Sequence, residues 1–104
     1  MSVELHATDS GTRRTVKVGD LVIVRLAETP TTGYRWQSDA DPGLALVEDR
    51  FEGAAVPRGA GGERILGFEA VQPGPARLRL GKRRSWGNSE PVEEFFADID
   101  VTAR

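Results

Sequence analysis

Alternation with a period of two runs through most of this chain, and it restricts the fold more than any other feature. In "ARLRL", Ala76, Leu78 and Leu80 share one face and Arg77 and Arg79 the other. The closing stretch repeats the pattern, with Phe95, Ala97, Ile99 and Val101 against Phe96, Asp98 and Asp100. Successive side chains of a strand point to opposite sides, so such runs mark strands with one packed and one wet face. Val22, Val24 and Leu26 alternate in the same way with Leu21, Ile23 and Arg25, as do Leu66, Phe68 and Ala70 in "ERILGFEAV". "SVELHAT" places Val3, Leu5 and Ala7 together, "YRWQ" turns Tyr34 and Trp36 inward, and "LALVEDRF" offers Leu44, Leu46 or Val47, and Phe51 for burial. Turn residues such as Gly19-Asp20 and Pro73-Gly74 separate the runs, and helical periodicity is weak throughout. Short strands at this spacing predict an all-β, antiparallel β-sandwich. A length of 104 residues fits a single domain, 1–104.

Composition removes several kinds of function. The chain has no cysteine, so disulfides, thiolate metal sites and a cysteine nucleophile are excluded. His6 is the only histidine, no G-x-S-x-G elbow is present, and the carboxylates are scattered, which argues against an enzyme. No metal or other cofactor is expected. A formal net charge of −2 argues against nucleic acid or an anionic membrane as partner. The basic "RLRLGKRR" and the acidic "EPVEEFFADID" are expected to neutralise each other across a sheet. No apolar run approaches the roughly 18 residues of a membrane span. "MSVELHATDS" shows no signal core, which leaves a cytoplasmic protein or one without its leader.

Three segments carry more than connection requires. "TPTTGY" (29–34) couples Pro30, which fixes φ near −65°, to Gly33, which permits positive φ. The result is a stiff tip bearing Thr29, Thr31 and Thr32. "PRGAGGERI" (57–65) is glycine-rich but lacks the Lys-Ser/Thr and the helix start of a phosphate loop. It reads as a flexible connection, or as a loop kept bare for close approach of another backbone. "KRRSWGNSEP" (82–91) sets Trp86 in polar, turn-like surroundings, and exposed Trp and Arg are enriched in binding hot spots.

Taken together, these segments resemble the chagasin-like family of inhibitors of papain-like cysteine peptidases. The family carries N-P-T-T-G-[YF]-x-W, G-x-G-G and R-P-W segments in that order; here they read "TPTTGYRW" (29–36), "GAGG" (59–62) and "RSW" (84–86). The lead-in "VGDLVIVRL" and the closing "FFADIDV" are similar as well, so the resemblance spans about Val16 to Val101. It implies an immunoglobulin-like β-sandwich with three binding loops at one end. It implies that Pro30, Thr31, Thr32 and Gly33, opened by Thr29, enter the active-site cleft. Gly59, Ala60, Gly61 and Gly62 would lie along one side of that cleft, and Arg84 and Trp86 along the other. Tyr34 and Trp36 would anchor the first loop's base. The implied activity is reversible, non-covalent inhibition by a monomer of a papain-like or cathepsin L-like peptidase. Thr29 stands where the family has Asn and Ser85 where it has Pro, and both changes loosen a loop. The alternative is a non-inhibitory immunoglobulin-like module that binds another protein with the same loops.

Overall fold

The computed structural model describes residues 1–29, 32–53, 61–84 and 90–103. Eight strands form two layers: β1 (Ser2–His6), β2 (Arg13–Lys17), β3 (Leu21–Glu28), β4 (Tyr34–Ala40), β5 (Leu44–Gly53), β6 (Gly62–Ala70), β7 (Gly74–Arg84) and β8 (Glu93–Thr102). One sheet has the order β1-β3-β6-β5 and the other β2-β8-β7-β4.

The sandwich is as expected, but its sheets are mixed rather than wholly antiparallel. β1 pairs parallel with β3, and β2 parallel with β8. The cause is the path of the chain. It leaves β1 through a 3-10 turn at Ala7–Asp9, enters the other sheet as β2, and returns at Gly19 to become β3. Each crossing reverses direction, and two reversals restore it. The Asp9 carboxylate helps to end β1 by accepting from the His6 N–H at 2.8 Å, so Ala7 lies in the turn, exposed, and not in line with Val3 and Leu5. Gly19 supports the return with φ of +98°, a value that favours glycine.

The alternating residues meet between the layers. Leu5, Val22, Val24, Leu26, Leu66 and Phe68 from one sheet pack against Trp36, Leu78, Leu80, Phe95, Ala97 and Ile99 from the other. Burying each large apolar side chain contributes roughly 1.5–3 kcal/mol relative to exposure, and these contacts cross the whole molecule. β5 departs from the pattern. A bulge between Leu46 and Glu48 shifts its register, and Leu46 and Val47 stay exposed at the free edge of their sheet while Leu44 is buried. Phe51 is half-buried. Phe96, on the outer register of β8, is exposed, with the Arg77 guanidinium 5.4 Å from its ring centre.

Candidate functional site: one end of the sandwich

Strand register brings the stems of the three singled-out segments to one end. Glu28, the last residue of β3, pairs with Gly62 at the start of β6, and Gly62 pairs in turn with Gly53 at the end of β5. In the other sheet, Tyr34 at the start of β4 pairs with Arg84 at the end of β7. Lys82 pairs with Glu93 at the start of β8. The β3–β4, β5–β6 and β7–β8 connections therefore leave the same edge of the sandwich.

The first connection is braced from within. The Thr32 N–H donates to the Thr29 carbonyl at 3.0 Å, and the Thr32 hydroxyl donates to the same oxygen at 2.7 Å. The Tyr34 N–H donates to the Thr32 hydroxyl at 3.4 Å, and Gly33 takes the expected positive φ of +81°. The Thr32 hydroxyl thus serves the turn, as Ser and Thr side chains do when they mimic a backbone turn. Thr32 as a residue is exposed. Pro30 and Thr31 lie outside the described residues.

Below that turn sits a buried ion pair. Period-two alternation along β3 carries the inward face from Leu26 to Glu28, and along β6 from Leu66 back to Arg64. Arg64 Nε and Nη2 donate to Glu28 Oε2 at 3.1 and 2.7 Å, while Glu28 Oε1 accepts from the Trp36 N–H at 2.8 Å. One carboxylate therefore ties β3, β4 and β6 together. Arg64 also donates to Asp49 at 3.2 Å and lies 5.7 Å from the Phe51 ring centre. Burial opposes the guanidinium's charge, but the hydrogen bonds and charges of Glu28 and Asp49 together outweigh it and raise the Arg64 pKa. Trp36, buried as expected of an anchor, donates its indole N–H to the Ala27 carbonyl at 2.8 Å. Among the described residues no buried side-chain polar atom lacks a partner.

Neither Glu28 nor Arg64 stands out as a site residue on composition or motif. The signal that marks them is their place on the inward register, where an acid and a base in neighbouring strands interrupt two apolar series.

The second connection meets the first through glycine. A Cβ on Gly62 would lie 2.1 Å from the Glu52 carbonyl oxygen, and one on Gly61 would lie 2.7 Å from the Thr29 hydroxyl. The close approach at these two glycines is therefore to the chain's own backbone and first loop. Gly59 and Ala60 lie outside the described residues.

In the third connection, Arg84 Nε donates to the Tyr34 hydroxyl at 3.3 Å, with its guanidinium 5.7 Å from the ring centre. Tyr34 is half-buried and Arg84 exposed, so this pair joins the first and third stems at the surface. Lys82 covers the Trp36 ring at 5.7 Å and pairs with Glu93 at 3.1 Å. Ser85 and Trp86 lie outside the described residues. His6 is exposed on β1, and no cluster of metal-ligating side chains occurs among the described residues.

Residues 15–101 match the model of the chagasin family, peptidase inhibitor I42. The chain belongs to the chagasin family. It is 29% identical over 103 residues to chagasin of Trypanosoma cruzi, covering 91% of this chain and 94% of that one. It is 26% identical over 101 residues to amoebiasin-1 of Entamoeba histolytica, covering 95% and 99%. The crystal structure of a cysteine protease inhibitor from Entamoeba histolytica superposes with a TM-score of 0.88 over 97% of this chain and 96% of that chain, at 20% identity. Chagasin-family members are peptidase inhibitors, so the chain is not read as an enzyme.

Proposed function

We propose that this protein is a reversible, non-covalent inhibitor of papain-like cysteine peptidases, acting as a monomer that fills the active-site cleft with three loops. The observation that carries the reading is the cross-bracing of the three stems at one end: Glu28–Arg64 and Gly61 beside Thr29 join the first to the second, and Tyr34–Arg84 joins the first to the third. A rigid, preassembled end loses little conformational entropy on docking.

In this reading Pro30, Thr31, Thr32 and Gly33 enter the cleft. The turn locked by Thr32 and Gly33 presents backbone to the catalytic cysteine without the near-attack geometry that cleavage needs. Gly59 and Ala60 run along one side, with Gly61 and Gly62 holding them to the first loop, and Trp86 with Arg84 packs on the other. Three loops on one scaffold suit a standard interface of about 800 Å² per partner. The family match supports a peptidase as the target, the cysteine protease inhibitor that shares the fold supports the cysteine class, and cathepsin L-like enzymes are the proposed subgroup.

The test is titration of papain and of a cathepsin L-like enzyme with the purified protein, following hydrolysis of a peptide substrate. Inhibition should be reversible on dilution, and it should protect the active-site cysteine from alkylation. Trp86→Ala should weaken binding by about 2 kcal/mol or more, and Thr31→Ala/Thr32→Ala should weaken it further. Binding that leaves the cysteine open to alkylation would instead favour a non-inhibitory binding module.

A further inference from the structure

The outer face of the β2-β8-β7-β4 sheet is mostly self-neutralised, as the opposite charges of β7 and β8 suggest. Arg77 holds Asp98 at 3.0 Å, and Arg79 turns the other way to hold Asp39 at 3.4 Å and Asp41 at 3.2 Å on the β4 side. Next to the loop end the pattern breaks. Arg35 of β4 and Arg83 of β7 stand directly opposite each other on this face, one residue from the Tyr34–Arg84 pair. Neither forms an ion pair with any described carboxylate, and all 16 Asp and Glu residues of the chain lie among the described residues. Like charges directly opposite destabilise a sheet.

Arg83 also lines a groove of about 290 Å³ with Gln37, Gly81, Pro91 and Glu94. A Cβ on Gly81 would sit 3.5 Å from the Arg83 guanidinium carbon, so the absent side chain leaves room for the arginine to lie across the groove floor. Two acidic groups line this space: Asp39, which is held by Arg79, and Glu94, which makes no ion pair with Arg83. The lining carries Arg77, Arg79 and Arg83 against Asp39 and Glu94, so its charge is positive, and Arg35 opposite Arg83 adds to it.

We infer that Arg35 and Arg83 form a docking surface, continuous with the third loop's stem, for Asp or Glu side chains on the rim of the peptidase cleft. The inference rests on the cleft-filling reading above and extends it to target preference. A guanidinium fork donates paired hydrogen bonds to a carboxylate, and two such forks side by side suit an acidic rim. The repulsion retained in the free protein is relieved when a carboxylate arrives between them. A rim contact of this kind acts mainly on the association rate and on its salt dependence.

The experiment measures association rates of the wild type and of Arg35→Gln/Arg83→Gln with a cathepsin L-like peptidase whose cleft rim carries Asp and Glu. The same enzyme with those rim residues changed to Asn and Gln serves as the second partner, each at low and high salt. The expected result is an association rate about threefold to tenfold lower for the double variant at low salt. The difference should vanish at high salt and on the neutralised enzyme, and the variant should melt no lower than the wild type. Inhibition by both proteins at equal low-salt rates overturns this inference and leaves the cleft-filling reading standing. Absence of inhibition by the folded wild type overturns both.

Discussion

Glu28 and Arg64 lie 36 positions apart in the chain and meet at 2.7 Å beneath the first loop, their side chains 1% and 9% exposed. The Glu28 carboxylate has no idle oxygen, since one takes Arg64 and the other the Trp36 backbone N–H. The pair is therefore a joint between strands that carry different loops, and its loss should be felt in both stability and binding.

Removing one partner strands the other's charge in a buried place. Arg64→Leu or Glu28→Gln should each lower stability by about 3–5 kcal/mol, read from urea unfolding. The double variant Glu28→Gln/Arg64→Leu should recover part of that loss while inhibition stays weakened, because the joint between the stems is gone. Additive single losses in the double variant would count against a coupled pair.

At Gly62 the nearest neighbour is main chain, which cannot swing aside. Gly62→Ala should therefore cost about 1–3 kcal/mol or more and loosen β5 from β6, visible as faster amide exchange at Gly53. At Gly61 the neighbour is the Thr29 hydroxyl, a side-chain atom that can move. Gly61→Ala should thus cost less stability than Gly62→Ala while still weakening inhibition through Thr29.

Trp36→Phe removes the indole N–H that reaches Ala27 while keeping an aromatic ring in the core. The Ala27 carbonyl then loses this donor, at a cost of about 1–3 kcal/mol. A melting temperature unchanged in this variant would show that the hydrogen bond contributes nothing at the first stem.

Acid should destabilise the protein in a defined window. The His6 N–H and Arg14 hold Asp9 below its usual 3.8, the Lys17 N–H and the N-terminus do the same for Asp20, the Arg77 N–H and Arg79 for Asp41, and Arg77 for Asp98. A depressed carboxylate contributes stability that is fully present above its unfolded pKa and is lost as pH falls through the folded one. Melting temperature should accordingly be flat from pH 7 to about 5 and decline below about 4. Asp20→Asn should lower it at neutral pH and flatten part of the acid decline.

Much of the fold was legible because alternation reports directly on which face is buried. Val22, Val24 and Leu26, Leu66 and Phe68, and the inward residues of β7 and β8 lie in the core where their period places them. Parallel pairing was not legible, because period two is the same for either direction and only the sheet crossings decide it. Leu46 and Val47 misled because a bulge at a free edge removes the facing layer that apolar composition assumes. Ile65 is buried on the outer register, apart from the main core, where alternation alone places an exposed residue. At the candidate site, the turn closed at Gly33 followed from local chemistry and the inward Trp36 from alternation, whereas the anchoring role of Trp36 came from the family resemblance. Glu28 and Arg64 were hidden by their charge, since charged residues are almost never fully buried unless paired, and their partner lies on another strand.

The order of strands in the sheets also dictates when the protein becomes active. β8, late in the chain, is an interior strand of its sheet, flanked by β7 and by β2, whose residues 13–17 wait for residues 98–102. During synthesis the first and second stems emerge early, but the layer against which they pack has a gap until β8 leaves the ribosome. In the cleft-filling reading proposed above, a nascent chain thus has no assembled loop end to offer a peptidase, and its unclosed strands are exposed to proteolysis and mispairing in that interval. Protection of the chain and inhibition of its target begin with the same event, the insertion of one strand.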